Sequence, residues 1–305
     1  MKKILTIISI IVCLSIGLYA SNAGDWLEIA PNARALGMGG AQIAGTNSAY
    51  APFWNPASRS HMTEIGSTFA SMPGEVSYQY FGAMHSFAFG RIGLGYLRVG
   101  LDGLQSTDLS ADLRPIVNGS DFSVANSAIL VSYSGSLSSV LEVGATAKII
   151  NNSIASATAS GFALDLGVQY LVLKNVQLGA VVYNALSPVI SWSTGAEEAY
   201  PMKVKVGIHS LLSDDLVFSF DADIIGYQNT GIHAGAEYWL NQLCALRAGY
   251  DKNALSIGVG IVYQGFRFDY AYTMASTDYL DATSRFSLGY VFAKPHIIVP
   301  ASGSM

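Results

Sequence analysis

The chain has 305 residues, of which 51% are hydrophobic and only 12% charged, with 31 glycines, 17 tyrosines and 9 prolines. So few charges beside so many aromatics exclude a disordered chain, and a net charge of −5 with no basic run after the first three residues argues against a nucleic-acid binder. A helical membrane protein needs apolar runs of about 20 residues; beyond residue 20 none is free of polar interruption, so the apolar content belongs to many short strands.

Residues 1–20, MKKILTIISIIVCLSIGLYA, carry two lysines, an apolar stretch and then small residues, the pattern of a secretory signal peptide cleaved after Ala20 or Ala23. Val12 precedes Cys13 where a lipoprotein signal needs a small residue. The mature chain then keeps one cysteine, Cys244, which allows no intrachain disulfide. One cysteine and five scattered histidines do not make a thiolate metal site, and no metal or cofactor is expected.

Residues 21–62 do not alternate. A helix-compatible stretch lies around Ala33 to Leu36, Gly37, Gly39 and Gly40 permit close backbone approach or positive φ, and Asn55-Pro56 reads as a tight turn. The GMGG run lacks the preceding strand and the acidic partner of a dinucleotide loop.

From about 63 to 292 the residues alternate with period two, as half-buried strands require. Leu255, Ile257, Val259, Ile261 and Tyr263 oppose Ser256, Gly258 and Gly260, and Phe266, Phe268, Tyr270 and Tyr272 oppose Arg267 and Asp269. About fourteen strands are predicted, near 63–73, 76–89, 91–101, 123–134, 138–151, 160–173, 174–185, 200–212, 215–226, 231–240, 242–250, 253–263, 265–276 and 284–292.

Three features favour an up-and-down membrane barrel over a soluble sandwich. Connections alternate between tight turns and longer loops at 102–122, 152–159, 186–199 and 277–283. Tyr133, Tyr170, Tyr263, Phe266 and Phe292 would mark one aromatic rim, Tyr200 and Tyr250 the other. The charges keep to the face opposite the apolar one: Glu142, Lys148, Asp165, Lys203, Lys205, Asp221, Asp223, Glu237, Arg247, Arg267, Asp269 and Arg285. Both signs occur, so the interior reads as a salt-bridged network, with Lys203, Lys205, Asp221, Asp223, Arg247, Arg267 and Asp269 as its candidate members. Asp221 and Asp223 are expected to form an ion-pair ladder with Lys203 and Lys205. A lumen this wide is not filled by its own wall, so residues 21–62 are the candidate hatch.

The run ARALGMGGAQIAGTNSAYAPFWNPA, residues 33–57, resembles the N-terminal signature of PorV/PorQ-family proteins, within the wider FadL-like group of outer-membrane barrels. The matching parts are Ala33-Arg34, the GMGGA run from Gly37 to Ala41, and WNPA from Trp54 to Ala57. The resemblance implies an all-β transmembrane antiparallel barrel of about 14 strands with a short N-terminal hatch, in the outer membrane of a diderm bacterium. It divides the chain into a signal peptide (1–20), hatch (21–62), barrel (63–292) and C-terminal tail (293–305). It implies a barrel that binds or passes small hydrophobic molecules, or else a non-transporting accessory of a type IX-like secretion system. Partners are then outer-membrane lipid, a small hydrophobic ligand or secretion-system proteins. Arg34, Gly37, Gly39, Gly40, Trp54, Asn55 and Pro56 are the candidate gate.

No catalytic site is expected. His61, His85, His209, His233 and His296 are spread along the chain, whereas a serine–histidine site needs an orienting acid behind the base. The four aspartates of 102–121 lack calcium-loop spacing, and that segment reads as a solvated loop.

Overall fold

The computed structural model describes residues 24–60, 62–110, 112, 114–186, 188–226, 231–252, 254–274 and 282–292. The expected signal peptide and C-terminal tail, with Cys13, His61 and His296, lie outside the described residues, as does most of 277–283. The described strands are β1 (Glu64–Met72), β2 (Val76–Phe87), β3 (Gly90–Leu109), β4 (Pro115–Ser136), β5 (Leu141–Ile154), β6 (Ala157–Leu173), β7 (Val176–Tyr183), β8 (Val189–Trp192), β9 (Glu197–Ala199), β10 (Lys203–Leu211), β11 (Leu216–Ile225), β12 (Ile232–Leu240), β13 (Cys244–Asp251), β14 (Ala254–Tyr263), β15 (Phe266–Thr273) and β16 (Thr283–Val291). Two short helices, α1 (Ala33–Gly37) and α2 (Ala51–Trp54), precede them, after a 3-10 turn at Asp25–Glu28.

All pairings are antiparallel. Strands β1 to β7 and β10 to β16 form a closed ring of fourteen: β5 pairs with β6, β7 with β10, and β16 returns to β1 through Glu64↔Val291 to Phe69↔Phe286. The hairpin β8–β9 stands outside the ring order and pairs with β6 alone, at Ala159↔Trp192 and Ser160↔Ser191. No helix of the described residues is long and apolar enough to cross a membrane, which says nothing about crossing by strands.

Alternation sorts the side chains. In β4 the outward Ile129, Val131 and Tyr133 are exposed while Ala128, Leu130, Ser132 and Ser134 are buried. In β16 the outward Phe286 and Leu288 are exposed and Arg285 and Ser287 buried. The outward apolar belt is what a lipid-facing barrel carries. Tyr133, Tyr170, Tyr263, Phe266 and Phe292 are exposed near the end where β1 starts and β16 stops, here called the near end. Tyr200 is a correction to the expected far rim: it is 1% exposed and turned inward, accepting hydrogen bonds from Trp26 Nε1 at 3.2 Å and Asn152 Nδ2 at 2.8 Å. Tyr250 keeps the outward phase of Leu246 and is half-buried.

The predicted loop 102–122 is mostly strand. Beyond Leu101↔Val124, β3 and β4 continue to pair through Leu104↔Phe122 to Leu109↔Pro115, past the ends of both neighbours, with two register shifts. The loop at 152–159 likewise closes to a two-residue turn, since Ile154 pairs with Ala157. Polar sequence read as loop because a hairpin standing clear of the ring has no core to bury and so loses the apolar alternation.

Candidate functional site

Residues 24–60 run inside the ring. The 3-10 turn sits at the far end, where Lys203 Nζ meets Asp25 Oδ1 at 2.9 Å and also pairs with Glu28. Ile29 O accepts from Tyr78 Oη at 3.0 Å and Ala30 O from Arg285. The chain then descends: α1 lies against β13 to β16, residues 42–46 cross β11 and β6, and Arg59 Nη2 reaches Ser139 O of a near-end turn at 2.8 Å. Thereafter β1 begins.

Inward glycines make room for this backbone. Gly66 faces Gly82 and Gly289, Gly82 faces Gly95, Gly144 faces Gly167, Gly179 faces Gly207, and Gly235 faces Gly249. A Cβ at Gly144 would lie 2.5 Å from Pro56 C, at Gly235 2.7 Å from Met38 Cα, and at Gly179 2.5 Å from Ile43 O. Real Cβ contacts do not come so close, so the wall and the inner segment fit only because these positions lack side chains. Within the segment, Gly39 and Gly40 hold φ of +62° and +80°, and Gly37 lies against Gly258.

Each predicted gate residue has a definite place. Arg34 lies on α1 and donates to both oxygens of Glu237, at 2.9 Å each. Trp54 Nε1 donates to Asn32 Oδ1, and its carbonyl accepts from Tyr183 Oη at 2.7 Å. Asn55 is fully buried: its Nδ2 donates to Ile43 O at 2.8 Å and to Val168 O at 3.2 Å, and its Oδ1 accepts from Ala57 N. That last bond is the local side-chain turn that asparagine favours. Pro56 packs on Gly144.

The lumen charges form separate compensated groups. Glu237 accepts from Arg34 and from Arg247 Nε at 2.6 Å, Arg247 Nη1 meets Asp269 at 2.7 Å, and Arg267 meets Glu64 at 3.3 Å. In a second group Lys205 Nζ lies 2.9 Å from Asp223, which also faces His233 Nε2 at 3.3 Å. Here the expected ladder is corrected. Asp221 stands opposite Gly207 rather than a lysine, and its Oδ2 accepts from the backbone N–H groups of Gln42 at 2.6 Å and Ile43 at 2.9 Å. Lys203 turns to the 3-10 turn. Two further pairs, Lys148–Asp165 at 2.7 Å and Arg91–Glu142, belong to β3, β5 and β6. Buried charges tolerate such a setting only when paired and hydrogen-bonded. Glu64, Arg91 and Asp251 were missed because each sits at a strand end, where alternation gives no phase.

The rest of the wall mixes polar side chains such as Ser132, Thr146, Asn152 and Gln169 with an apolar stripe. Tyr78 and Tyr80 on β2, Leu97 and Val99 on β3, Ala128 and Leu130 on β4, Ile150 on β5, Ala159 and Ala163 on β6 and Ile190 on β8 are all buried on the inner side. Tyr50, Phe53 and Trp54 pack on them from the segment; Trp26, Leu27, Ile29, Met72, Val76 and Trp192 join at the far end. Tyr50 and Tyr80 stack at 5.1 Å. This apolar stripe was missed because β2 reverses the usual sorting: Val76, Tyr78 and Tyr80 take the inward phase while Ser77 and Gln79 share the outward phase of Phe81. Beside it lies a cavity of about 30 Å³ lined by Leu27, Phe53, Trp54, Tyr183, Lys148, Lys203 and Lys205, room for a water or two.

Among the described residues the histidines form no serine–histidine–acid triad. His209 Nδ1 lies 2.8 Å from Ser219 Oγ, and His233 faces Gly39 O at 3.1 Å and Asp251 at 3.0 Å. His85 meets Thr63 on the outer surface. Among the described residues no group of three or more His, Cys, Asp or Glu side chains is placed to hold a metal.

No protein-family profile matches the chain, and no curated protein matches it by sequence. Solved structures do. The toluene transporter TodX of Pseudomonas putida is 14% identical with a TM-score of 0.60, over 85% of this chain and 96% of that one. A deletion mutant of TodX, described as a monoaromatic hydrocarbon channel, matches to the same degree over 97% of its chain. A Pseudomonas aeruginosa FadL homologue is 12% identical with a TM-score of 0.60, over 86% of this chain and 98% of that one. At these identities the likeness shows the fold alone, a closed antiparallel barrel.

Proposed function

We propose that the protein is an outer-membrane barrel that passes small hydrophobic molecules inward, with residues 24–60 as its hatch. The near end then faces the periplasm, where outer-membrane barrels keep their termini and short turns, and the far end faces outside. The observation that carries this reading is the continuous apolar stripe inside the lumen. A barrel conducting water or ions would line itself with polar groups, and one serving only as scaffold has no use for an inner apolar face running from the far rim to mid-lumen. Trp26, Leu27 and Ile29 at the rim and Phe53, Trp54, Tyr80 and Leu130 below them make a route that an apolar solute would follow by displacing side chains. The likeness to TodX and the FadL homologue supports the same solute class.

The test is uptake of toluene by proteoliposomes holding the full chain, against empty vesicles and against Leu130→Asn. Leu130 is 1% exposed in the middle of the stripe, and a polar amide there costs about 1–3 kcal/mol in any state where it lacks a partner. Carriage by the native protein, reduced several-fold by the substitution, is expected. No carriage above empty vesicles would end the proposal.

A second reading, an accessory in a type IX-like secretion system in the manner of PorV/PorQ proteins, draws on the β3–β4 hairpin. It stands clear of the ring and exposes Ile116 and Val117. Gentle extraction from the native membrane followed by native mass spectrometry separates the readings: a stoichiometric protein partner favours the accessory, a bound apolar molecule the conduit.

A further inference from the structure

Two elements cover the far end of the apolar stripe. One is the 3-10 turn, held by Lys203, Tyr78 and Tyr200. The other is the β8–β9 hairpin. The far half of β6 pairs with β5 but has no ring neighbour on its other side, where β7 pairing stops at Leu166↔Val182, and the hairpin fills that notch. Its attachment is one-sided. The β8 strand meets β6 at two positions, helped by Ser193 N donating to Thr158 O at 2.7 Å, while β9 pairs with β8 alone and leaves its other edge unpaired in the ladder. Its inner side chain, Ile190, is fully buried and lies over Gly161, where a Cβ would strike it. Ring strands, by contrast, each pair with two neighbours.

We propose that the β8–β9 hairpin is a lid hinged on β6, which swings outward to uncover the inner wall at Gly161 and Ala163 and admits the solute there. Segments with few ladder bonds open at lower cost than the ring they lean on, and lids that gate access are drawn from such segments. Lifting Ile190 from Gly161 exposes a glycine-floored groove leading to Ile150 and Tyr200. This rests on the conduit reading for what passes, but the motion can be measured without any solute.

The experiment uses the full chain in a Cys244→Ala background with Ala163→Cys as a reporter under the lid. Ser160→Cys with Ser191→Cys then ties the hairpin to β6 at directly opposed positions, whose Cα separation in an antiparallel pair suits a disulfide. Reaction of the reporter with a membrane-impermeant maleimide should slow about tenfold or more when the tie is oxidised and recover on reduction. Toluene uptake should follow the same pattern. A second variant, with residues 189–198 replaced by a Gly-Ser-Gly linker, should label faster than the untied protein. Equal labelling with and without the tie, or no labelling in any variant, would overturn the lid. Tie-dependent labelling with no toluene carriage would leave the lid standing and end the conduit reading.

Discussion

Gly249→Ala adds one methyl group to the inner wall and should disrupt the hatch more than its size suggests. The new Cβ would stand 2.5 Å from Met38 C and nearer still to Gly39 N, and ordinary contact begins at 3.4 Å, so the backbone at 38–39 must retreat by 0.9 Å or more. It has nowhere to go. Gly39 is already held between Tyr250 and Ala234 O, where its own Cβ would lie within 2.6 Å of backbone. Overpacking of this kind costs about 1–3 kcal/mol. The shift also strains the contact of Gly39 O with His233 Nδ1, worth about 1 kcal/mol, for a total of about 2–4 kcal/mol. Gly289→Ala is the control. It belongs to the same belt, yet its Cβ would meet nothing nearer than Ile65 O at 3.3 Å, so a loss within about 0.5 kcal/mol is expected. Urea unfolding of both variants in phospholipid vesicles, followed by tryptophan fluorescence, gives the comparison. If Gly249→Ala matches Gly289→Ala, the close fit of segment and wall is not what the glycines are for.

Charge removal should be unequal within one ion-pair group. Glu237→Ala takes the carboxylate from Arg34 and leaves Arg247 with Asp269 alone, and should cost about 3–5 kcal/mol, whereas Arg34→Ala leaves Glu237 with Arg247 and should cost about half as much; equal urea midpoints would refute the shared-acceptor geometry. Tyr200→Phe removes the acceptor of Trp26 and Asn152, about 1–3 kcal/mol of local stability, so amide exchange at 24–30 should quicken while the global midpoint barely moves. Phe286→Arg puts a cation on the outward face of β16 and should cost about 2–4 kcal/mol in a bilayer. A loss as small as that of an exposed substitution in the β3–β4 hairpin would show that this face does not meet lipid.

The barrel was legible because alternation is enforced twice, by lipid outside and by paired charge inside. A one-residue slip in β10 would put Lys203 and Lys205 into the bilayer, so Lys203-Val204-Lys205-Val206 could be read in one phase only. Partners were less legible. The inward carboxylates on the neighbouring strand, Asp221 and Asp223, were natural candidates for both, yet the structure gives Lys203 to Asp25 and Glu28, nearly 180 residues away, and Asp221 to two backbone amides. Neither assignment has a periodic signal. Gly144, Gly167, Gly235 and Gly249 are placed mid-strand, where glycine weakens a sheet; their reason lies in a segment that passes them only in three dimensions.

The glycine belt and the apolar stripe together constrain how such a barrel can conduct. Wall contacts at Gly144, Gly179, Gly235 and Gly249 are backbone against backbone, so residues 37–57 cannot slide without breaking the fit at several strands together. A solute as small as toluene needs far less than that. The stripe is bounded on one side by side chains of the segment (Phe53, Trp54) and on the other by side chains of the wall (Leu97, Leu130, Ile150), and side-chain rearrangement is a smaller motion than moving the hatch backbone. Passage by successive side-chain displacement along a fixed backbone keeps the charged half of the lumen intact throughout. If the barrel is the proposed conduit, it stays closed to water and ions while an apolar molecule crosses it.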